Sequence, residues 1–348
     1  MLYREVPQNG DKLSILGYGA MRLPTKRLGV DEEKAKQQIH SAIDHGVNYV
    51  DTAYPYHNGN GEEIVGRILA QDGYREKVKL ATKLPHWSTD SKEEMHEMLD
   101  EQLDNLQTEH IDYYLIHNLD GHSWKKAKEN GVIEFLDEAL ESGKIINAGF
   151  SYHGMREDFK KVIDDYDWTF CQIQYNFLDT HNQAGTNGMK YAASKNIAVM
   201  VMEPLRGGNL AQEPPKEIKK LWQKARVERS PVEWSLRWIL NHPEVTIVLS
   251  GMNKDTHIEE NLKIASEAEP NSLTDEEMEL VDQVADKYRE IMKVGCTGCQ
   301  YCMPCPAGVN ISSCFESFNS YHMFNDRMSR MMYLINNGGV VSSKTSLA

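Results

Sequence analysis

The chain is poor in positive charge. Its 38 Lys and Arg stand against 52 Asp and Glu, a net charge of −14 over 348 residues, so it carries no electrostatic footprint for DNA or RNA. A small anionic cofactor remains admissible, because it answers to a local pocket and not to the total. No stretch approaches the roughly 18 apolar residues needed to span a bilayer, and the opening MLYREVPQNGDKLSILGYGA lacks the apolar core of a signal peptide. Nucleic acid and membrane are therefore excluded as expected partners, and the expected location is the cytoplasm, where thiols stay reduced. A Gly-x-Gly-x-x-Gly dinucleotide fingerprint is also missing, since Gly17 and Gly19 have no third glycine at the required spacing. There is no internal repeat and no low-complexity segment.

What the chain does have is alternation. Strand-like apolar runs over Ile15–Met21, Asn48–Ala53, Val78–Lys83, Ile111–His117, Asn147–Tyr152, Phe170–Asn176, Ala198–Glu203 and Val245–Gly251 are separated by amphipathic helical sequence. Ala35, Ile39, Ala42 and Ile43 form one helical face, and Gly46 suits the cap that ends it. Ser91 with Glu94, Ser230 with Glu233 and Thr274 with Glu277 have capping-box spacing, and Pro231 sits at a favoured first helical position. Eight strand–helix units predict an α/β fold, a closed (β/α)8 barrel, with an open doubly wound sheet as the alternative. Near Lys293 helical, charge-rich sequence gives way to a cysteine cluster and a Met-rich tail. The expected division is a barrel over 1–293 and a small helical segment over 294–348, where Met323, Met328, Met331 and Met332 make hydrophobic contacts.

In a barrel, the C-terminal strand ends form the active face. Asp51 closes the second strand, Tyr56 follows in the next loop, Lys83 ends the third strand and His117 ends the fourth. Each has an ordinary reading: helix cap, loop aromatic, surface charge, core histidine. Four different roles converging on one face argue for chemistry instead. A tyrosine of ordinary pKa about 10 is a poor proton donor near neutrality. A neighbouring ammonium stabilises its phenolate, a carboxylate fixes the ammonium, and a histidine orients a carbonyl oxygen.

The phrases LGYGAMRLP, VDTAYPY, GNGEEIVG, ATKLP, LIHN, AGFSYH and EPLRGG stand in the order found in the aldo-keto reductases, which residues 1–290 resemble. The resemblance implies an NAD(P)-dependent reductase acting on a small-molecule carbonyl, with Asp51, Tyr56, Lys83 and His117 as the tetrad and Tyr56 as general acid. It also implies cofactor contacts. Gly19, Ala20, Met21 and Arg22 match the first-strand segment along the cofactor. Ser151 and Gln172 match residues that hold the nicotinamide carboxamide, although Tyr152 replaces the usual Asn. Met202 replaces the usual stacking aromatic. Glu203, Leu205, Arg206 and Gly207 match the loop crossing the pyrophosphate. At the adenosine end stand Ser250, Gly251, Met252, His257, Glu260 and Asn261. Ser250 and His257 replace the usual 2′-phosphate cations, so NADP and NAD both stay open, with Lys254 or Arg22 as substitute cations.

Four of the six cysteines (Cys296, Cys299, Cys302 and Cys305) lie in the run CTGCQYCMPCPAG. This C-x2-C-x2-C-x2-C-P spacing suits a [4Fe–4S] cluster, with tetrahedral zinc as the rival. The bacterial ferredoxin run has one more residue before its fourth Cys, so Cys314 is held in reserve as a ligand, while Cys171 reads as core. The sequence resembles the bacterial subgroup of these barrels with ferredoxin-like tails, yet ends at SSKTSLA, so the chain is either a one-cluster form or truncated. The cluster's role is structural, docking or electron transfer, and a redox partner protein or a homo-oligomer is an open expectation.

The leading reading is a carbonyl reductase. Its rivals are a dinucleotide-binding regulatory module and an electron-transfer module. Trp87, His122 and Trp124 are candidate pocket residues, with loop anchors as the equal alternative for Trp87 and Trp124, and His153 is expected either at the cofactor mouth or as a helix cap.

Overall fold

A computed structural model describes residues 1–27, 29–296, 305–324 and 327–336. The chain divides into two compact units. The first comprises 1–175, 183–204 and 239–272; the second comprises 176–182, 205–238 and 273–348.

The first unit contains a closed barrel of eight parallel strands, which removes the open-sheet alternative. They are β1 (Leu16–Gly19), β2 (Tyr49–Asp51), β3 (Lys79–Leu84), β4 (Ile111–Leu119), β5 (Ile145–Tyr152), β6 (Phe170–Gln174), β7 (Ala198–Met202) and β8 (Val245–Ser250). Each strand pairs with the next and β8 returns to β1. Every expected strand is present, with ends moved by one or two residues. The helix Glu32–Asp44 buries Ala35, Ile39, Ala42 and Ile43 as its pattern required, and Gly46 at φ 98 follows its cap.

Side chains alternate across a strand, and this sets what fills the barrel. Tyr49, Ala81, Tyr113, Leu115, Phe170, Ala198, Met200, Ile247 and Leu249 form one buried cluster with Val6 and Leu13. Tyr113 meets Tyr49 and Phe170 edge to face at 5.4 and 5.0 Å. Gly149 is required here, because a Cβ would stand 2.5 Å from the Phe170 ring. Val6 and Leu13 come from an element the sequence did not announce, an antiparallel hairpin of Tyr3–Glu5 with Lys12–Ser14.

In the second unit the helix Asp275–Ile291 starts with a full capping box of Thr274 and Glu277. Arg229 pairs with Glu277, and Trp222 stacks on Trp234 at 4.9 Å. Beyond that helix, Asn319 Oδ1 accepts from the backbone N–H groups of Lys293 and Val294, and its amide donates to the Val294 carbonyl. The helix Ile311–Phe324 is thereby tied to the stretch leading into the cysteine run. Met323 is buried and Met331 is exposed; the side chains of Met328 and Met332 lie outside the described ones. No helix among the described residues is long and apolar enough to cross a membrane.

Candidate active site

Alternation carries the interior face of each strand upward from the core layer to a set of polar groups. Tyr49 leads to Asp51, Ala81 to Lys83, Leu115 to His117, Gly149 to Ser151 and Phe170 to Gln172. All belong to the first unit.

Lys83 is the centre. Its ammonium donates to both oxygens of Asp51 at 2.8 Å and to the Thr52 carbonyl at 2.7 Å, and its charge acts on the Tyr56 hydroxyl. Every N–H of the ammonium is thus used. Burial would lower the pKa of Lys83, but the charge of Asp51 and the Tyr56 hydroxyl reverse this and hold it above its ordinary value. Burial raises the Asp51 carboxyl while Lys83 opposes it.

Tyr56 is placed by its loop. His57 and Asn58 adopt positive φ, and the His57 ring bonds the Ala20 carbonyl at 2.7 Å. Gly61 lets the next helix begin against Tyr56, since a Cβ there would lie 2.9 Å from the tyrosine Cβ. The Lys83 ammonium lies 5.3 Å from the Tyr56 ring centre. The tyrosine's pKa is raised, contrary to the sequence expectation: burial is the largest influence, and the downward pull of Lys83 is smaller. Tyr56 therefore holds its proton throughout the neutral range, and Lys83 acts when charge develops on it.

His117 stands 6.4 Å from Tyr56 and 5.2 Å from Trp87, measured between ring centres. Burial, followed by the charges of Lys83, His153 and His86, pushes its pKa down to about 2. It is a neutral imidazole, and its Nδ1 is buried without a partner among the described residues. β4 runs two residues past it through an irregular register, with Asn118 at φ 57. The Asn118 N–H then donates to Ser151 Oγ at 2.7 Å.

Several cofactor candidates are brought together. Ser151 and Gln172 are register partners on β5 and β6, and Gln172 Oε1 is a buried acceptor with no partner among the described residues. Gly19, Ala20, Met21 and Arg22 leave β1 beside the end of β8: a Cβ on Gly251 would lie 3.4 Å from Arg22 Cβ. Ser250 Oγ accepts from Asn261 at 2.9 Å, so these two groups already satisfy each other. Met252 is buried, and its carbonyl accepts from Tyr18. His257 and Glu260 lie on the helix Asp255–Ala265, and burial followed by Lys254 lowers the pKa of His257. Met202 ends β7 half-buried, and Glu203 is exposed at φ 53.

Leu205, Arg206 and Gly207 belong to the second unit. There Arg206 pairs with Asp179 at 3.2 Å and lies over Phe324, and its Nη1 is buried without a partner among the described residues. Of the proposed metal ligands, Cys296 and Cys305 are half-buried free thiols, whereas Cys299 and Cys302 lie outside the described residues. Cys314 bonds Tyr333, and Cys171 is fully buried. Among the described residues no three His, Cys, Asp or Glu side chains form a metal-ligating group.

Of the two readings of Trp124, pocket residue and anchor, the structure selects the anchor. Trp124 is 2% exposed, and its indole donates to Asp165 at 2.8 Å and tilts against Trp168. It is a packing residue. His122 is exposed on the same helix. Trp87 is 50% exposed and does reach the site. His153 caps nothing, because the helix Arg156–Asp164 has Met155 at its N-cap.

Sequence reasoning missed the support under Lys83. Glu62 is fully buried and accepts from Thr82 and from Gln102, the latter at 2.6 Å. Gln102 also donates to the Lys83 carbonyl at 3.0 Å and accepts from Tyr114. The signal was available: Glu62 shares a helical face with Val65, Gly66 and Leu69, and Gln102 shares one with Leu99, Leu103 and Leu106.

A profile of the aldo/keto reductase family matches residues 15–286. The aldo-keto reductase YhdN of Bacillus subtilis is 26% identical over 74% of this chain and 87% of its own. L-galactose dehydrogenase of Arabidopsis thaliana is 25% identical over 83% of this chain and 95% of its own. Among solved structures, the holo form of aldo-keto reductase AKR11C1 from Bacillus halodurans superposes with a TM-score of 0.69. It is 27% identical, covering 82% of this chain and 96% of that one.

Proposed function

The chain belongs to the aldo/keto reductase family of NAD(P)-dependent oxidoreductases, and from that premise we propose that it reduces an aldehyde or ketone with Tyr56 as general acid. The observation that carries this reading is the saturated Lys83 ammonium, paired with Asp51 and set 5.3 Å from the Tyr56 ring centre inside the barrel mouth.

The residues of this unit fit a nicotinamide. A carboxamide N–H2 would satisfy the buried, unpartnered Gln172 Oε1 beside Ser151. Bound NAD(P)H supplies the hydride. The chain's own residues do the rest. Tyr56 and the neutral His117 bond the carbonyl oxygen, Tyr56 passes its proton to that oxygen as negative charge grows, and Lys83 stabilises the phenolate left behind. Asp51 holds Lys83 in place. Arg22, next to Gly251, and Lys254, next to His257, are the cations we assign to a 2′-phosphate, which favours NADPH over NADH.

We further assign Cys296, Cys299, Cys302 and Cys305 to a [4Fe–4S] cluster in a segment that begins near residue 294. The support is the spacing and the two free thiols that bracket the run. Anaerobically purified protein should contain about four iron and four acid-labile sulfide per chain, falling in Cys299→Ser. Stoichiometric zinc without sulfide would overturn the assignment.

Absorbance of NADPH and NADH with a panel of aldehydes and ketones tests the function. Carbonyl-dependent oxidation faster with NADPH is expected, and Arg22→Ala should raise KM for NADPH by about tenfold without touching NADH. Tight cofactor binding without turnover would move the reading to a regulatory module. NADPH-driven reduction of the cysteine segment without any carbonyl would move it to electron transfer.

A further inference from the structure

Tyr56 and Lys83 reach the site by different routes. Lys83 is carried by β3, whereas Tyr56 is carried by the loop that runs into the helix Gly61–Leu69. The first residue of that helix lies directly on the tyrosine: a Cβ on Gly61 would stand 2.9 Å from Tyr56 Cβ and 3.0 Å from its carbonyl oxygen. The second residue is Glu62.

Glu62 turns back towards β3. Its Oε1 accepts from Thr82 Oγ1 and from Gln102 Nε2, the latter at 2.6 Å. Thr82 precedes Lys83, and alternation points it out of the barrel towards the helices. The same Gln102 amide donates to the Lys83 carbonyl at 3.0 Å, and its oxygen accepts from the Tyr114 hydroxyl of β4 at 2.7 Å. Glu62, Thr82, Gln102 and Tyr114 are all fully buried. A single carboxyl oxygen thus links the helix start on Tyr56, two consecutive residues of β3 and the helix Lys92–Leu106. The other oxygen, Oε2, is buried without a partner among the described residues. Stability alone does not favour such a group, since an unpaired buried acceptor is unfavourable and an apolar side chain would avoid it.

Resting on the reductase reading, we propose that Glu62 is a positioning residue: through Thr82 and Gln102 it fixes Tyr56 relative to Lys83, the spacing on which proton transfer depends. The acceptor oxygen performs this role, not the charge. Burial lifts the Glu62 carboxyl to about 7, with the Lys83 charge opposing it from the barrel side. A proton taken up there goes to the unpartnered Oε2, so the bonds at Oε1 persist in both forms.

The test is single-turnover NADPH oxidation with propanal, in the wild-type and the Tyr56→Phe backgrounds. Small displacements of reacting groups cost up to about 100-fold, so Glu62→Ala should lower the maximal rate at least about tenfold while the half-saturating propanal concentration changes less than about threefold. Glu62→Gln keeps an oxygen acceptor and should recover the rate to within about threefold of wild type. Gln102→Met, which keeps the length and removes both donors, should repeat the loss. In Tyr56→Phe no proton remains to be placed, so Glu62→Ala and Gln102→Met should each cost less than about threefold there. Equal losses in the two backgrounds would show a role in folding alone and overturn the proposal. So would a Glu62→Gln loss beyond about tenfold, which is decisive even if Glu62→Ala does not fold. Wild type inactive on propanal, or matched by Tyr56→Phe, means that the reductase reading fails. A slow Tyr56→Phe beside unimpaired Glu62 and Gln102 variants means that only the positioning role fails.

Discussion

Replacing Tyr56 by Phe should lower kcat for carbonyl reduction by about 10²- to 10⁴-fold, the range expected when a positioned general acid is removed. The ring is kept, so the packing against His117 and the Gly61 helix start is kept with it. Only the proton is lost. Single-turnover reduction, read by NADPH absorbance, isolates the chemical step, and NADPH affinity by fluorescence titration should change little. The pH profile sharpens the expectation. Burial holds the Tyr56 hydroxyl above its ordinary value, so the acid form persists through the neutral and mildly alkaline range. His117 protonates only near pH 2, so no acidic limb belongs to it above about pH 4. The chemical step of the wild type should therefore be nearly flat from about pH 5 to 9. Activity in Tyr56→Phe within threefold of wild type would remove Tyr56 from the reaction.

The order of chemistry along the chain was legible because a barrel puts every strand end on one face. Asp51, Lys83 and His117 could be placed at strand ends, and Tyr56 in the loop that follows, from the strand pattern, while their roles came from four chemistries converging on one face and from the family resemblance. Energetic balance was not legible in the same way. The Lys83 charge pulls the Tyr56 pKa down, as residue chemistry demands, but the larger effect is burial, which only packing reveals. Trp124 read equally as a pocket residue or an anchor because it follows a strand that ends at the site, and only its helix decides, turning it onto Trp168. The hairpin under the barrel escaped because strands of three residues carry no periodicity. Glu62 and Gln102 escaped for the opposite reason: they sit on apolar helical faces, where polar residues were read as breaks in a pattern and not as parts of a network. The grouping of 176–182 and 205–238 with the C-terminal helices rests on long-range contacts, and the composition changes only near residue 293.

Lys83→Met should be the most destabilising single change at this site. Both partners of the ion pair are almost fully buried, with Lys83 Nζ at 2.8 Å from each Asp51 oxygen. Losing the ammonium leaves a buried carboxylate without compensation, at a cost of about 3–5 kcal/mol at pH 7. In a unit of this size, that corresponds to a fall in Tm of about 10 °C. The pH dependence gives the cause. With Lys83 gone, burial raises the Asp51 carboxyl unopposed, so its folded pKa lies above the unfolded value near 3.9. The folded state then binds a proton more readily than the unfolded one, and the variant gains stability relative to wild type as pH falls from 7 towards 5. Adding Asp51→Asn removes the stranded charge and should recover most of the lost stability at pH 7 without recovering activity, since no ammonium remains beside Tyr56. Thermal unfolding of wild type, single and double variants at pH 5 and 7 separates the two roles. A single variant as stable as wild type at pH 7, or a double variant no more stable than the single, would show that the pair is not the buried charge couple on which the tetrad depends.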